Sequence, residues 1–340
     1  MSSASLSADA ACRRLRHERL GDLLERRGLD AVSLRHPANF AWLTGGAESR
    51  VDRALESGVA ELLVTADAIT VLTTNIEAER FRTEQTPWAE VVAYPWHEGR
   101  PPAVGAVGAD VPESGELDIA AEVAALRRVL DRDAIEQLRA VGADARAAIE
   151  ETAAQIMPGV TEHEAAGLLS GACEQRGLFP SVLLAAADAR IAAHRHPLPH
   201  DAVIERRAML VISAARGGLY ANLTRLVELD ELSPETARRV AATNEILAGM
   251  RDATRPGRPL SDVFADCRAL YSQAGFPDEW RRHHQGGSTG YRSREVIATR
   301  DTHDPVHARQ AFAWNPSITG AKAEETFVLT DLGAEVLTGV

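Results

Sequence analysis

The sequence has little of what marks a secreted, membrane-bound or disulfide-stabilised protein. Its three cysteines, Cys12, Cys173 and Cys267, are too far apart to suggest a disulfide framework or a zinc knuckle. No segment approaches the roughly 18 apolar residues that span a bilayer. The stretch from Met1 to Ala11 is small and polar, without a cationic region leading into an apolar one. These absences predict a protein of the reducing cytoplasm, neither exported nor anchored.

Positive charge is also scarce. Acidic residues outnumber basic ones by 49 to 37, and the formal net charge is -12. A chain with this balance is repelled by phosphate backbones and anionic lipid, so neither nucleic acid nor a membrane is expected as the principal partner. Its 340 residues, 45% of them hydrophobic, have the composition of a soluble globular protein of about two domains.

The first part of the chain has the pattern of a small α/β domain. Helical spacing of leucines ends at Gly28, and strands and a short helix should follow. The Pro- and Gly-rich segment 96–112 is expected to connect two domains. We place the boundary near residue 125, which gives domains at 1–125 and 126–340. The predicted elements are a helix over 13–27, strands at 31–34, 61–65 and 69–73, and a helix near 76–82.

The second part has an α+β pattern. An amphipathic helix is stopped by Pro158-Gly159, and Thr161 with Glu164 forms a capping box for the next helix. A turn at Gly217-Gly218 should join two strands. The predicted elements are helices over 131–157, 234–251 and 260–274, and strands at 209–214, 219–229, 296–298, 311–314, 326–330 and 336–337.

Three phrases near the end of the chain carry the most information. They are His283-His284-Gln285-Gly286-Gly287-Ser288-Thr289-Gly290-Tyr291, Ala313-Trp314-Asn315-Pro316 and Lys322-Ala323-Glu324-Glu325-Thr326. In this order they resemble the carboxy-terminal signature of the pita-bread (M24) family of aminopeptidase P, prolidase and creatinase. The stretch 29–45 is similar to the opening of the family's amino-terminal domain. The resemblance implies an α+β chain, with a small creatinase-like α/β domain before a pita-bread catalytic-type domain, and a homodimer.

The metallopeptidases of that family bind two divalent metals, and their ligand positions are mostly lost here. The resemblance places Ser213, Asn222 and Asn315 where the family has carboxylates, and Gly287 or Ser288 where it has a histidine; only Glu324 keeps a ligating side chain. A dinuclear site needs several anionic oxygens, so we expect no metal cofactor. If these positions are misassigned, ligands should lie among His194, His196, His283 and His284.

Creatinase, in the same fold, is a hydrolase that works without metal. Its catalytic histidine precedes the first of these strands, and His196, 17 residues before Ser213, takes that place. A histidine can accept and return a proton near neutral pH, which suits a general base. The alternative is a solvated histidine in a His-Arg-His-Pro loop, as we expect for His194 and His200.

Glu324 matches the carboxylate with which creatinase binds the guanidinium of its substrate. A carboxylate can accept paired hydrogen bonds from such a group. The second binding glutamate of creatinase is replaced by Thr224, so either the substrate is less cationic or Glu325 or Glu295 supplies the missing charge. The alternative for Glu324 is a solvated strand end.

A dense polar cluster follows the flexible Gly286-Gly287 turn. We expect His284 to join His196 and Glu324 in catalysis. Arg292 or Arg294 could clamp a substrate carboxylate, although a surface-facing basic stripe is an equal alternative for each. Arg225 matches a family arginine that is more often structural. The predicted substrate-binding residues are His283, Tyr291, Arg292, Arg294, Glu295, Asn222, Asn315 and Arg225.

The resemblance implies a metal-independent, creatinase-like hydrolase of a C–N bond in a small amino-acid-derived substrate. One alternative is a non-catalytic binding module that has lost its peptidase residues. Another is a lyase or cyclase that uses His196 to abstract a proton. The clustering of His, Arg and Glu around the positions of the family's metal ligands favours an enzyme, because a pocket without a function would not need to retain these residues.

Overall fold

The chain, analysed as a computed structural model, is described for residues 3–102 and 104–339, with side chains from residue 10 onward. It divides into two compact units, Met1–Ala134 and Ile135–Val340. The predicted domain boundary near residue 125 falls in the last helix of the first unit, Ala120–Arg128.

The first unit is built around a six-stranded mixed sheet whose strands lie in the order Glu90–Tyr94, Ile69–Thr74, Ala60–Val64, Ala31–Leu34, Val107–Ala109 and Leu117–Asp118. Its second helix begins where His36 accepts a hydrogen bond from the backbone of Ala38, and it ends at Gly45, whose φ of 85° few other residues tolerate. The elements are α1 (Ser3–Arg27), β1 (Ala31–Leu34), α2 (Pro37–Thr44), β2 (Ala60–Val64), β3 (Ile69–Thr74), α3 (Ala78–Arg80) with a π-helical turn at Phe81–Gln85, β4 (Glu90–Tyr94), β5 (Val107–Ala109), β6 (Leu117–Asp118) and α4 (Ala120–Arg128).

The prediction that segment 96–112 only connects two domains is wrong. Within this segment, Ala103 lies outside the described residues. Within it, β5 pairs in parallel with β1, so the segment supplies an inner strand of the sheet. Gly108 lets two side chains pack closely over this strand, because a Cβ at this position would lie 2.7 Å from Cδ1 of Leu29 and 3.0 Å from Cδ1 of Ile119. Trp42, 2% exposed, lies in the core of this unit.

The second unit has the predicted α+β character. The capping box of Thr161 and Glu164 is confirmed. Among the helices described, none combines the length and apolar character needed to cross a bilayer. The elements are α5 (Arg132–Ala153), α6 (Glu162–Glu174), β7 (Phe179–Ala187), α7 (Ala189–Ala193), β8 (Arg207–Arg216), β9 (Leu219–Glu228), α8 (Pro234–Ala253), α9 (Leu260–Gln273), β10 (Gly286–Thr289), β11 (Val296–Ile297), β12 (Ala311–Trp314), β13 (Ser317–Ile318), β14 (Ala321–Lys322), β15 (Glu325–Thr330) and β16 (Gly333–Val336).

Two sheets of the second unit meet where the predicted site residues lie. One has the order β7-β8-β9 and the other β11-β10-β12-β15-β16. They are joined by hydrogen bonds from the backbone of Asn222 to the hydroxyl of Thr326 and from the backbone of Thr224 to the carbonyl of Glu324. Because strand side chains alternate, Asn222 and Thr224 of β9 share the face turned toward the second sheet.

Candidate functional site

A small cavity of about 110 Å³ lies in the second unit where the two sheets meet. Apolar side chains of β7 and β8 form part of its wall, and most of the remaining lining is polar. The structure brings six predicted site residues to it: His196, Asn222, His284, Arg294, Asn315 and Glu324. Three further polar residues that were not predicted as binding residues, Ser213, Ser293 and Lys322, complete the polar lining.

Three histidines from two segments form a cluster at this cavity. The Nε2 atoms of His196 and His283 lie 2.9 Å apart, at hydrogen-bonding distance, so one ring donates and the other accepts. The rings of His283 and His284 stack with centroids 4.5 Å apart. His283 is 9% exposed, whereas His196 is exposed at one side. His196 therefore combines access to solvent with a fixed hydrogen-bond partner.

The two histidine-bearing segments are held together by an ion pair. Arg195 donates from Nη2 to Oε2 of Glu279 at 2.5 Å, and Glu279 also accepts from the backbone and hydroxyl of Thr319. Glu279 begins the 3-10 turn Glu279–Arg282, which leads directly into His283. The loop that carries His196 is thus attached to the turn that carries its partner.

A second anchor fixes each segment to the core. The fully buried Glu162 accepts from the backbone of Ala187 and His200 and from Nε of Arg190, which brackets the His196 loop. Gln285, also fully buried, accepts from the Tyr271 hydroxyl at 2.8 Å and donates to the carbonyl of His283. Both anchors satisfy buried polar groups and so fix the geometry of the site.

Glu324 is buried among cations of the protein itself. Its Oε1 accepts from Nη2 of Arg294 at 2.7 Å, and its Oε2 accepts from Nζ of Lys322 at 2.7 Å and from the Thr224 hydroxyl at 3.1 Å. The residue is 6% exposed, which rules out a solvated strand end. Both carboxylate oxygens are occupied by these internal partners. Lys322 is the only lysine in the sequence, whereas arginine occurs 36 times.

The metal pair of the related peptidases does not fit this donor set. Ser213, Asn222 and Asn315 offer neutral oxygens or amides, and Glu324 is already neutralised by Lys322 and Arg294. At Gly287, one of the two positions matched to the family histidine, a Cβ would lie 1.9 Å from the carbonyl oxygen of Val296, so no side chain fits there; the other, Ser288, is 3% exposed and carries only a hydroxyl. Two divalent ions require several anionic ligands, and these residues supply one carboxylate that already has two cationic partners.

The histidine cluster is the one group of possible metal ligands found within residues 3–102 and 104–339. The ligand atoms of His196, His283 and His284 lie within 4.8 Å of one another. Imidazole nitrogens suit a single zinc, copper or nickel ion. However, Lys322 and Arg294 place positive charge beside this cluster, and it contains no anionic ligand of its own. The surroundings therefore oppose a further cation.

The same surroundings keep the histidines neutral. Burial, with the charge of Lys322, lowers the pKa of His196, and burial lowers the pKa of His283 to about 2 and that of His284 to about 4. Burial opposes ionisation of Glu324, but Lys322 and Arg294 outweigh it and bring the pKa of Glu324 to about 2. Near pH 7 the cavity thus has neutral imidazoles beside one ionised carboxylate.

Other predicted site residues lie away from the cavity lining. Arg225 lies 3.5 Å from Glu150, and Glu325 pairs with Arg251 at 2.6 Å. Tyr291 is buried, Arg292 is exposed and Glu295 is half-buried, and none of the three lines the cavity. His194 and His200 are exposed, as expected.

Comparison with known proteins agrees with this architecture. The sequence pattern of the metallopeptidase family M24 matches residues 136–331, and that of the creatinase/prolidase N-terminal domain matches residues 16–154. An uncharacterized peptidase of Staphylococcus aureus strain MW2 is 24% identical over 245 residues, 68% of each protein.

Solved structures support the same fold. A prolidase of Pyrococcus horikoshii OT3 superimposes with a TM-score of 0.80 at 15% identity, covering 96% of this chain and 98% of the prolidase. An X-Pro aminopeptidase of Thermotoga maritima MSB8 gives 0.78 at 20% identity, covering 95% and 97%. With the family pattern spanning more than half of its length, the chain belongs to metallopeptidase family M24.

Proposed function

We propose that this protein is a metal-independent hydrolase that cleaves a C–N bond in a small amino-acid-derived substrate, with His196 as the general base. The observation that carries the proposal is the position of His196: it lines the cavity, reaches solvent and is held by a hydrogen bond to His283. Family membership supports a hydrolase, and the lost metal ligands support a mechanism that uses side chains alone.

In the proposed reaction His196 removes a proton from water as the water oxygen attacks the substrate carbon. A C–O bond forms, the C–N bond breaks, and the same proton passes from His196 to the leaving nitrogen. The lowered pKa of His196 keeps its imidazole unprotonated near pH 7, so it is ready to accept that proton. Its hydrogen bond to His283 fixes the ring orientation.

Negative charge that develops on the attacked group needs a counter-charge, which the peptidases of this family obtain from metal ions. Here Lys322 and Arg294 line the cavity, and we assign them this role. Fixed cations in a site with little water stabilise a developing charge strongly. This assignment replaces the earlier expectation that Glu324 binds a cationic substrate group, because both of its oxygens already accept from Lys322 and Arg294.

The direct test is turnover after removal of metals. Protein treated with a chelator and buffer-exchanged is incubated with X-Pro dipeptides, which the name of the Thermotoga maritima relative suggests, and with creatine. We expect release of amine with one or more of these small substrates. In water labelled with ¹⁸O, hydrolysis places the label in the acyl product, whereas a lyase would leave it unlabelled. A broad screen without turnover would favour the binding module.

The homodimer remains a proposal that rests on the family resemblance, and the cytoplasmic location remains one that rests on the few, widely spaced cysteines. Sedimentation at micromolar concentration tests the first. A sedimentation coefficient of a 36.6 kDa monomer would contradict it.

A further inference from the structure

The only lysine of the chain lies in the cavity, where it is 7% exposed. We propose that Lys322, together with Arg294 and His284, forms a binding site for a carboxylate or a similar small oxyanion of the substrate. The inference rests on the proposed function only in treating the ligand as part of a substrate. Binding of the anion can be measured without turnover. At the positions where the related peptidases bind metal, this chain would bind an anion, whereas the family resemblance suggests that Glu324 binds a cationic group.

The charge balance of the cavity is the first argument. Its ionised lining consists of two cations, Lys322 and Arg294, and one carboxylate, Glu324. The ion pairs neutralise one positive charge and leave the second without an anion among the described lining residues. A buried charge without a counter-ion is costly, so the cavity favours a ligand that brings a negative charge.

The hydrogen-bond inventory is the second, independent argument. Lys322 has three N–H donors, and only Glu324 accepts from it within the described chain. Nε of Arg294, Nδ1 of His284 and the hydroxyl of Ser213 are buried and have no hydrogen-bond partner among the described residues; of the lining acceptors, Oδ1 of Asn315 is also without one. Ser213 is 4% exposed. The unmet demand is mainly for acceptors, which a carboxylate supplies.

Other ligands suit these groups less well. A guanidinium would need the oxygens of Glu324, which already accept from Arg294 and Lys322. A divalent metal would add to the unbalanced positive charge. The volume of about 110 Å³ admits a group of a few heavy atoms, so the cavity is suited to the charged end of a substrate.

A chain with one lysine permits an unusually direct experiment. Protein grown with lysine labelled at Nζ with ¹⁵N gives a single side-chain ammonium signal, that of Lys322. The signal is followed by NMR while sodium acetate, acetamide or guanidinium chloride is added, with the chloride concentration held constant. We expect a saturable shift with acetate and no saturable shift with the neutral or cationic probe. Absence of a saturable acetate response, or an equal response to acetamide, would overturn the inference.

Substitutions locate the site. In the same titration Arg294→Gln should weaken acetate binding at least about tenfold, which corresponds to about 1.4 kcal/mol. Arg258→Gln is the matched control, since Arg258 pairs with Asp266 at 2.8 Å and lines neither this cavity nor the neighbouring one, which Arg251 shares with Lys322. Equal weakening by both substitutions would contradict the assignment. Because Lys322→Met removes the NMR signal, its acetate binding is measured by calorimetry, beside a Lys322→Met/Glu324→Gln variant that leaves no unpaired carboxylate.

The outcomes separate this inference from the proposed hydrolysis. Acetate binding at Lys322 without turnover of any substrate would support the anion site and contradict the enzyme. Turnover of neutral substrates without acetate binding would support the enzyme and overturn the anion site.

Discussion

Arg195 and Glu279 form a 2.5 Å ion pair that attaches the loop carrying His196 to the turn preceding His283. Neither residue lines the cavity, so their contribution to catalysis would be positional. The side chains are only 18% and 17% exposed, so replacing one partner also affects stability, and the melting temperature of each variant is measured beside its kinetics.

We expect Arg195→Gln to lower kcat about tenfold or more while KM changes little, because small displacements of a catalytic group are costly. Arg195→Lys should restore part of the loss, since it keeps the charge opposite Glu279. Arg281→Gln, at an exposed pair with Asp278 on the same turn, is the control. A change in KM alone would contradict a positioning role for the histidine loop.

Replacement of His196 tests the general base. His196→Gln should lower kcat by roughly 10² to 10⁴-fold with little change in melting temperature, because the side chain is exposed at one side. His194→Gln, two residues earlier and exposed, should be neutral. In the unmodified protein kcat/KM should fall on the acid side with a midpoint below pH 6.5, because the pKa of His196 is lowered. Full activity in His196→Gln would move the base to another residue.

Metal content tests the loss of the dinuclear centre. After chelation and buffer exchange we expect less than about one tenth of an equivalent of Mn, Zn, Co or Fe per chain, because one neutralised carboxylate cannot hold these ions. Added metal should leave activity unchanged. Two bound equivalents would refute this expectation. One equivalent that disappears in His283→Gln would instead identify the histidine cluster as a mononuclear site.

Acid should destabilise the protein in two steps. In the unfolded chain the two buried histidines gain protons as the pH falls through about 6.5, whereas the folded protein keeps His284 neutral to about 4 and His283 to about 2. The unfolded state then binds more protons, so the free energy of unfolding falls, by roughly 2 kcal/mol per histidine between pH 7 and pH 5. Glu324, with its lowered pKa, stabilises the fold above about 4.5 and loses this effect toward pH 2.

Urea unfolding at pH 7 and pH 5 measures the first step. His284→Gln should reduce the difference between the two pH values by roughly 2 kcal/mol, the contribution of one histidine, while His283 and His196, whose pKa is also lowered, still contribute. His194→Gln, exposed in the folded protein, serves as the control. An unchanged pH dependence in His284→Gln would show that this histidine is protonated in the folded state.

Much of the fold could be predicted because its signals are local. The Pro158-Gly159 stop, the capping box at Thr161 and the Gly217-Gly218 turn each act within a few residues, and the helices and strands around them are close to the predicted bounds. The strand β7 was missed because its end, Leu183 to Ala187, is rich in alanine, which favours helices; tertiary pairing with β8 overrides that preference. The strand β5 is only three residues long, and its place in the sheet depends on distant partners.

The sequence resemblance predicts where the site residues lie, but it does not predict how the charges of the site are paired. His196 and His284 do lie at one cavity, but the partners of Glu324 were missed. Lys322 is two residues from Glu324 and is the only lysine among 37 basic residues, a signal that was available in the sequence. Arg294 is separated from Glu324 by 30 residues, so only the folded chain reveals that pair.

The crowding at Gly287 bears on how this protein can change over evolutionary time. A histidine there would collide with the carbonyl of Val296, so the β10–β11 pairing would have to open before a ligand could return. No single substitution would supply a dinuclear donor set, and a carboxylate introduced at Ser213, Asn222 or Asn315 would meet the cations Lys322 and Arg294. Substitutions at this cavity can therefore adjust a cationic pocket far more readily than they can build a metal centre.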